Sequence, residues 1–172
     1  MKKALIVVDM QNDFIDGSLG SKEAKGIVER VAEKIVRRRK EGYDIIVTLD
    51  THGENYLSTR EGRVLPIKHC VKGTSGWRLN SQIAELTQGC KVYEKNGFAS
   101  QELILDMKSE NPDIIELVGL CTDICVVSNA LGIKAFLPEC EITVDSSCCA
   151  GVSPERHDAA HETMKSCQIN VI

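Results

Sequence analysis

Two cysteines, Cys121 and Cys125, stand four residues apart in the stretch LVGLCTDICVVSNALG. The apolar run before them reads as a buried strand and the run after them as a helix, so the pair occupies a strand-to-helix turn. A pair so placed suits four chemistries: a metal clip, a disulfide, two inert core thiols, or one working nucleophile. No second cysteine pair at ligand spacing accompanies it, which weakens the zinc reading. Thr122 can cap the helix, which puts Cys125 in the first turn, where free amides and the positive dipole end favour a thiolate. Cys121 precedes that cap at the strand end. Taken alone, either cysteine is more simply a buried structural thiol. Features elsewhere in the chain change that reading for Cys125 only.

A nucleophilic sulfur needs a base. Asp9 ends the run KKALIVVD and Lys95 ends CKVYEK. An aspartate beside a thiol accepts its proton, and a lysine between them holds either anion. Asp50 and His52, two residues apart, end the run YDIIVTLD, and His69 follows in the next loop. One carboxylate and two imidazoles suit Zn²⁺, Fe²⁺ or Mn²⁺ with positions left for water or substrate. His157 and His161 have the HxxxH spacing but lack the glutamate that a metalloprotease motif needs between them. They read as surface or packing residues. Tyr56 and Trp77, loop aromatics, read as packing or a subunit contact.

For these side chains to meet, particular elements must carry them. Short continuous apolar runs over 2–9, 43–50, 90–95, 113–120, 140–146 and 168–172 read as strands, the central ones buried on both faces. Helical spacing appears over 25–41, 80–88, 100–110, 122–136 and 154–167, with Gly42 ending the first helix. Residues 51–78 show no clear period, and so long a loop in a compact domain is more plausibly functional than idle. Strands alternating with helices imply right-handed crossovers and a parallel sheet. The expected fold is one α/β domain over 1–172, a Rossmann-like α/β/α sandwich around a six-stranded, mainly parallel sheet. Ligands of such sheets bind beyond the carboxyl ends of the strands. Asp9, Asp50, Lys95 and the Cys121–Cys125 turn all fall there.

Composition limits the alternatives. The 172 residues are 42% hydrophobic and 27% charged, ordinary for a globular chain. A net charge of -4 argues against nucleic acid as a partner. The one basic run, Arg37 to Lys40, suits the C-terminal end of a helix. No apolar stretch approaches the ~20 residues of a membrane span, and no signal peptide is evident. The eight cysteines in a core-rich chain are expected to be reduced, in a cytoplasmic protein.

The motifs ALIVVDMQNDFIDGSL, TLDTH, HCVKGT, YEKNGF and LVGLCTDICV, in this order, resemble the isochorismatase-like cysteine hydrolases, the nicotinamidases above all. That resemblance spans nearly the whole chain. It implies a catalytic triad of Asp9, Lys95 and Cys125. It also implies a cis Leu120–Cys121 peptide, with the oxyanion held by the backbone amides of Cys121 and Cys125. Asp50, His52 and His69 become the ligands of one divalent ion, zinc foremost, with iron or manganese as alternatives. Glu61 joins them in the variant that places a glutamate before the last histidine, with Glu54 as its rival. Phe14 matches the family's ring-stacking residue. Leu65 stands where many members carry an aromatic, and Phe98 supplies another apolar wall. The implied reaction is hydrolysis of nicotinamide to nicotinate and ammonia, in NAD salvage, by an enzyme that can form homo-oligomers. The alternatives are an amidohydrolase acting on an N-carbamoyl or ureido compound, and a non-catalytic metal-binding or redox module.

Overall fold

A computed structural model describes all of residues 1–172. In chain order the elements are β1 (Lys3–Val8), α1 (Asn12–Ile15), α2 (Lys22–Lys40), β2 (Asp44–Asp50), a 3-10 turn (Tyr56–Ser58) and α3 (Arg60–Val64). Then come α4 (Ser81–Leu86), β3 (Lys91–Lys95), α5 (Gln101–Glu110), β4 (Ile114–Leu120) and a π-helical turn (Thr122–Val126). The chain closes with α6 (Val127–Phe136), β5 (Glu141–Ala150), α7 (Pro154–Ser166) and β6 (Asn170–Val171).

The six strands form one sheet in the order β3-β2-β1-β4-β5-β6, every pair parallel. Period-two alternation divides the central strand between two cores. Ala4, Ile6 and Val8 pack with Leu103, Ile133 and Met164 of α5, α6 and α7. Leu5 and Val7 point the other way, against Ile27, Val31 and Ile35 of α2 and Ile83 of α4. Fully burying each such side chain contributes roughly 1.5–3 kcal/mol, so the helices are held by their apolar stripes more than by intrinsic propensity.

Helix α2 shows how local signals set an element. Ser21 accepts a hydrogen bond from the Ala24 amide at 3.0 Å, and Arg37 to Lys40 crowd the last turn, where cations complement the dipole. Gly42, at φ 79°, then turns the chain out of the helix in a conformation that favours glycine.

Connections run one way from β1 through β2 to β3, then cross back to β4. The strands on either side of that reversal, β1 and β4, leave a crevice beyond their carboxyl ends, where doubly wound sheets bind ligands. Gly119, at φ 121°, lies in β4 against β1. A side chain there would drive into the Val8 carbonyl, so only glycine lets the two strands close at the crevice.

Several boundaries differ from the sequence reading. The first helix starts at Lys22 rather than 25, because Ser21 and not the apolar period sets its N-terminus. The loop over 51–78 contains the 3-10 turn and α3, and α1 occupies part of the expected connection after β1. Elements of one turn are too short to show a period. β5 extends to Ala150, past the expected 146, with a shift of register against β4 between Leu117 and Gly119. That irregularity interrupts the alternation by which a strand is recognised. Thr122 does not cap a helix. The residue before the π-turn is Cys121 and makes no side-chain cap, while the Thr122 hydroxyl is taken by His157.

Candidate active site

The register of the central strands brings the polar strand ends together. Asp50 pairs with Lys95, and Val8, just before Asp9, pairs with Thr48 on one side and Gly119 on the other. Asp9 has left-handed backbone geometry, φ 49°, rare outside glycine and tolerated by aspartate. Its carboxylate is fully buried. Oδ1 accepts a hydrogen bond from the Thr48 hydroxyl at 2.6 Å. Oδ2 lies 2.7 Å from Lys95 Nζ, a fully buried ion pair. The same ammonium donates to Cys125 Sγ at 3.3 Å and to the Gly97 carbonyl at 3.1 Å. One buried cation therefore touches both the carboxylate and the sulfur.

Cys125 sits in the π-turn. The Val126 amide reaches back five residues to the Cys121 carbonyl at 3.1 Å, which widens the turn, and such turns recur at functional sites. The peptide Leu120–Cys121 is cis. Asn129, fully buried, donates to the Cys125 carbonyl at 2.8 Å and accepts from the Ser100 amide at 3.0 Å, fixing the turn to the loop after β3.

Electrostatics correct one sequence-based expectation. A helix-start cysteine should favour its thiolate, yet burial pushes the Cys125 thiol well above its ordinary value, and the Asp9 carboxylate adds to this against Lys95. Burial also raises Asp9, with Lys95 opposing. Lys95 is raised, because Asp9, Cys125 and Asp50 outweigh its desolvation. Two anions side by side beneath one ammonium are disfavoured, so carboxylate and thiol hold one proton between them and titrate as a pair.

A second cluster adjoins the first. Asp50 Oδ1 lies 3.7 Å from Lys95 Nζ, and its Oδ2 lies 3.0 Å from His52 Nε2 and 3.3 Å from His69 Nε2. His69 Nδ1 donates to the Ile67 carbonyl at 2.9 Å, which leaves Nε2 for the cluster. One ligand atom each from Asp50, His52 and His69 lie within 4.8 Å of one another, all three residues buried. His52 Nε2 is buried without a hydrogen-bond partner despite its approach to Asp50. An orphaned imidazole nitrogen converging with a second imidazole and a carboxylate fits a divalent ion such as Zn²⁺. Burial would raise Asp50, but the two rings and Lys95 hold it well below the usual carboxylate range. Glu61 Oε1 stands 3.6 Å from His69 Nε2 and 3.8 Å from His52 Nε2. Glu54 points elsewhere, to Lys68 on the surface.

Phe14, Leu65 and Phe98 line one cleft of about 1160 Å³ together with Cys121, Cys125 and the Asp50–His52–His69 cluster. Phe14 is buried against His69, ring centroids 5.6 Å apart, whereas Phe98 is half exposed at the rim. Tyr56 is fully buried behind the histidines, 4.7 and 4.9 Å from their rings, with its hydroxyl donating to the Leu65 carbonyl. Trp77 is only partly buried and donates from its indole to Thr51.

Supporting residues escaped the sequence reading. Gln11, fully buried, accepts from the Asp50 amide and donates to the carbonyls of Asp50 and Trp77, each at 2.8 Å, tying β1, β2 and the long loop at the site. Asp13 accepts from the Cys70 amide at 2.8 Å and so anchors the segment carrying His69. Both belong to the QNDF motif, whose conspicuous polar residues were the available signal. Thr48, inside an apolar strand, carried none.

Comparison with known proteins agrees with this geometry. Residues 3–172 match the family model of the isochorismatase domain. An isochorismatase family protein, PncA, of Bacillus subtilis is 34% identical, the alignment covering 91% of each chain. The crystal structure of a pyrazinamidase of Pyrococcus horikoshii, in complex with zinc, superposes with a TM-score of 0.87 at 30% identity, over 100% of this chain and 99% of that one. A pyrazinamidase/nicotinamidase of Streptococcus mutans also gives 0.87, at 28% identity over 99% and 100%. With its sheet order, its cleft at the β1–β4 reversal and this match over nearly every residue, the chain belongs to the isochorismatase family.

Proposed function

We propose that this protein is a nicotinamidase, hydrolysing nicotinamide to nicotinate and ammonia through a thioester on Cys125, in salvage of the pyridine ring for NAD. The observation that carries the reading is Lys95, whose ammonium lies 2.7 Å from Asp9 and 3.3 Å from the Cys125 sulfur while also facing the Asp50 cluster.

Asp9 takes the proton from Cys125 Sγ as the sulfur attacks the carboxamide carbon. Lys95 keeps its charge throughout and balances whichever neighbour is anionic. The tetrahedral oxyanion accepts from the backbone amides of Cys121 and Cys125, an arrangement in which removing one donor typically costs about 2.7–4 kcal/mol. Asp9 returns its proton to the departing nitrogen, which leaves as ammonia. Asp9 then takes a proton from water as the water attacks the thioester, and nicotinate leaves as the thiol regains that proton. Phe14 and Phe98 provide apolar walls for the ring. A divalent ion held by Asp50, His52 and His69, zinc foremost, would supply a Lewis-acid contact for the pyridine nitrogen.

The test compares ammonia release from nicotinamide, benzamide and an N-carbamoyl amine on one preparation. Benzamide lacks the ring nitrogen and is expected to be a far poorer substrate. Equal turnover of benzamide and nicotinamide, or preference for the carbamoyl compound, would sink the reading and leave a broader amidohydrolase.

A further inference from the structure

The chain has four histidines, and they fall into two pairs. His52 and His69 face the cleft. His157 and His161 lie one turn apart on α7, ring centroids 4.1 Å apart and nearly perpendicular at 69°. His161 is only 7% exposed, and its Nε2 is buried with no hydrogen-bond partner. Leaving a buried polar atom unsatisfied typically costs about 1–3 kcal/mol, so an orphan here needs a reason. The proposed reaction gives it none, because α7 contributes no group to the thiol, carboxylate or ammonium.

The side chains around that ring form a candidate ligand set. One ligand atom each from His157, Asp158 and His161 lie within 4.8 Å of one another. His157 Nδ1 lies 2.7 Å from the Thr122 hydroxyl, which orients the ring and leaves its Nε2 unengaged. Asp158 is exposed, so the cluster opens to solvent on one side. We propose that His157, Asp158 and His161 form a second divalent-metal site, separate from the cleft, suited to Zn²⁺, Co²⁺, Ni²⁺ or Cu²⁺ with water completing the coordination.

A further feature fits. With an ion on Nε2 of His157, its Nδ1–H donates to Thr122, the outer hydrogen bond by which a ligating histidine is normally fixed. Thr122 opens the turn that carries Cys125, so the ion would brace α7 against that turn. The inference is independent of the reaction assigned to the cleft.

Zn²⁺ alone is the probe, with bound metal counted per chain after equilibrium dialysis. The intact protein is expected to hold two equivalents, and Asp50→Asn with His52→Ala to hold one. His161→Ala is expected to hold one, and the combination of all three changes none. Zn²⁺ should also raise the melting temperature of the cleft variant, by linkage, and should no longer do so once His161→Ala is added. If His161→Ala does not fold, as judged by circular dichroism, His157→Gln at a half-buried position carries the same arm. A zinc count and a zinc-dependent rise in melting temperature that neither His157→Gln nor His161→Ala lowers would overturn the proposal.

Discussion

Two lysines are buried in this protein, and each lies between two carboxylates. Lys34, on α2, has its ammonium 2.5 Å from Glu116 and 2.5 Å from Asp145, and Arg38 adds a second cationic contact to Glu116 at 2.5 Å. Lys95 lies 2.7 Å from Asp9 and 3.7 Å from Asp50. By residue type and burial the two look alike, so a buried lysine between carboxylates does not by itself mark a site. They differ in what is left over. Around Lys34 the ionic oxygens all have partners, and Asp145 also accepts from Ser147 through both amide and hydroxyl. Its carboxylates sit in β4 and β5 beneath a helix, at no strand end that faces a cleft. Around Lys95 a thiol completes the set, an imidazole nitrogen nearby is orphaned, and the group lines an open cleft. An orphaned imidazole nitrogen and an open cleft at a carboxyl edge are what separate the proposed reactive cluster from the structural one.

The largest expected effects cross the two clusters. Lys95→Met and Cys125→Ala should each lower kcat/KM for nicotinamide by about a thousandfold or more, as loss of a unit of such a triad does. Cys121→Ala, which keeps its backbone amide, should retain much of the activity. Lys95→Met should cost little stability, because Asp9, already raised by burial, can take up a proton in place of the lost cation. Lys34→Met should do the reverse. It strands Asp145 and leaves Glu116 with Arg38 alone, and should destabilise by about 3–5 kcal/mol, with kcat/KM of the folded fraction within a few fold of normal. Thermal melts and initial rates on the same four proteins decide this. A Lys34→Met protein that is inactive but fully stable would erase the distinction.

The Lys34 cluster should contribute to the stability profile at both ends of the pH range. Burial would lower Lys34, but the hydrogen bonds it donates to Asp145 and Glu116 prevail and raise it above 10.5. A raised cation contributes stability that is complete below 10.5 and is lost as pH climbs through the higher folded value. Burial would raise Asp145, but Lys34 and Ser147 prevail and hold it below 3.8. Its contribution is complete above 3.8 and is lost as pH falls through the lower folded value. Denaturant melts across pH should show both limbs, and Lys34→Met should flatten them. Limbs that persist unchanged in that variant would assign the dependence to other groups.

Much of the catalytic side of this contrast was legible in the sequence, because each partner sits at the end of an apolar run, and parallel strands align their ends. Asp9, Asp50 and Lys95 were identifiable for that reason, and Cys125 by its turn. The Lys34 cluster was not, since Lys34 lies on a helix, Glu116 within a strand and Asp145 beside a register shift. Only tertiary packing brings these together. Thr48 was equally hidden, as a β-branched residue at home in any strand. It donates to Asp9 Oδ1 at 2.6 Å, and a hydrogen bond to a charged group is worth about 1.5–3 kcal/mol. Thr48→Val should therefore cut kcat/KM by about ten- to a hundredfold while conserving the fold. Activity within twofold of normal would show that Lys95 alone orients the base.

The smallest expected effect concerns the edge of the reactive cluster. Glu61, in the first turn of α3, holds its carboxylate 3.6 and 3.8 Å from the two imidazole nitrogens, too far for a hydrogen bond yet close enough for a bridging water. Its side chain is 23% exposed, so its charge is only partly screened by solvent. Glu54, the nearest acidic alternative, is 82% exposed and pairs with Lys68 at 3.4 Å. If the convergence of the His52 and His69 nitrogens on Asp50 is what gives this region its function, a neighbouring anion should strengthen their hold on a cation without being needed for it. Partners of this outer kind typically contribute 10–100-fold in metal affinity. Glu61→Gln should therefore release Zn²⁺ to a competing chelator at about tenfold lower chelator concentration, and Glu54→Gln should match the unaltered protein. Both variants should retain Cys125 alkylation by a small electrophile at the normal rate, since neither carboxylate touches the thiol. Equal metal retention in the two variants would confine the cluster to Asp50, His52 and His69, and the contrast with Lys34 would then rest on those three side chains and the Lys95 group alone.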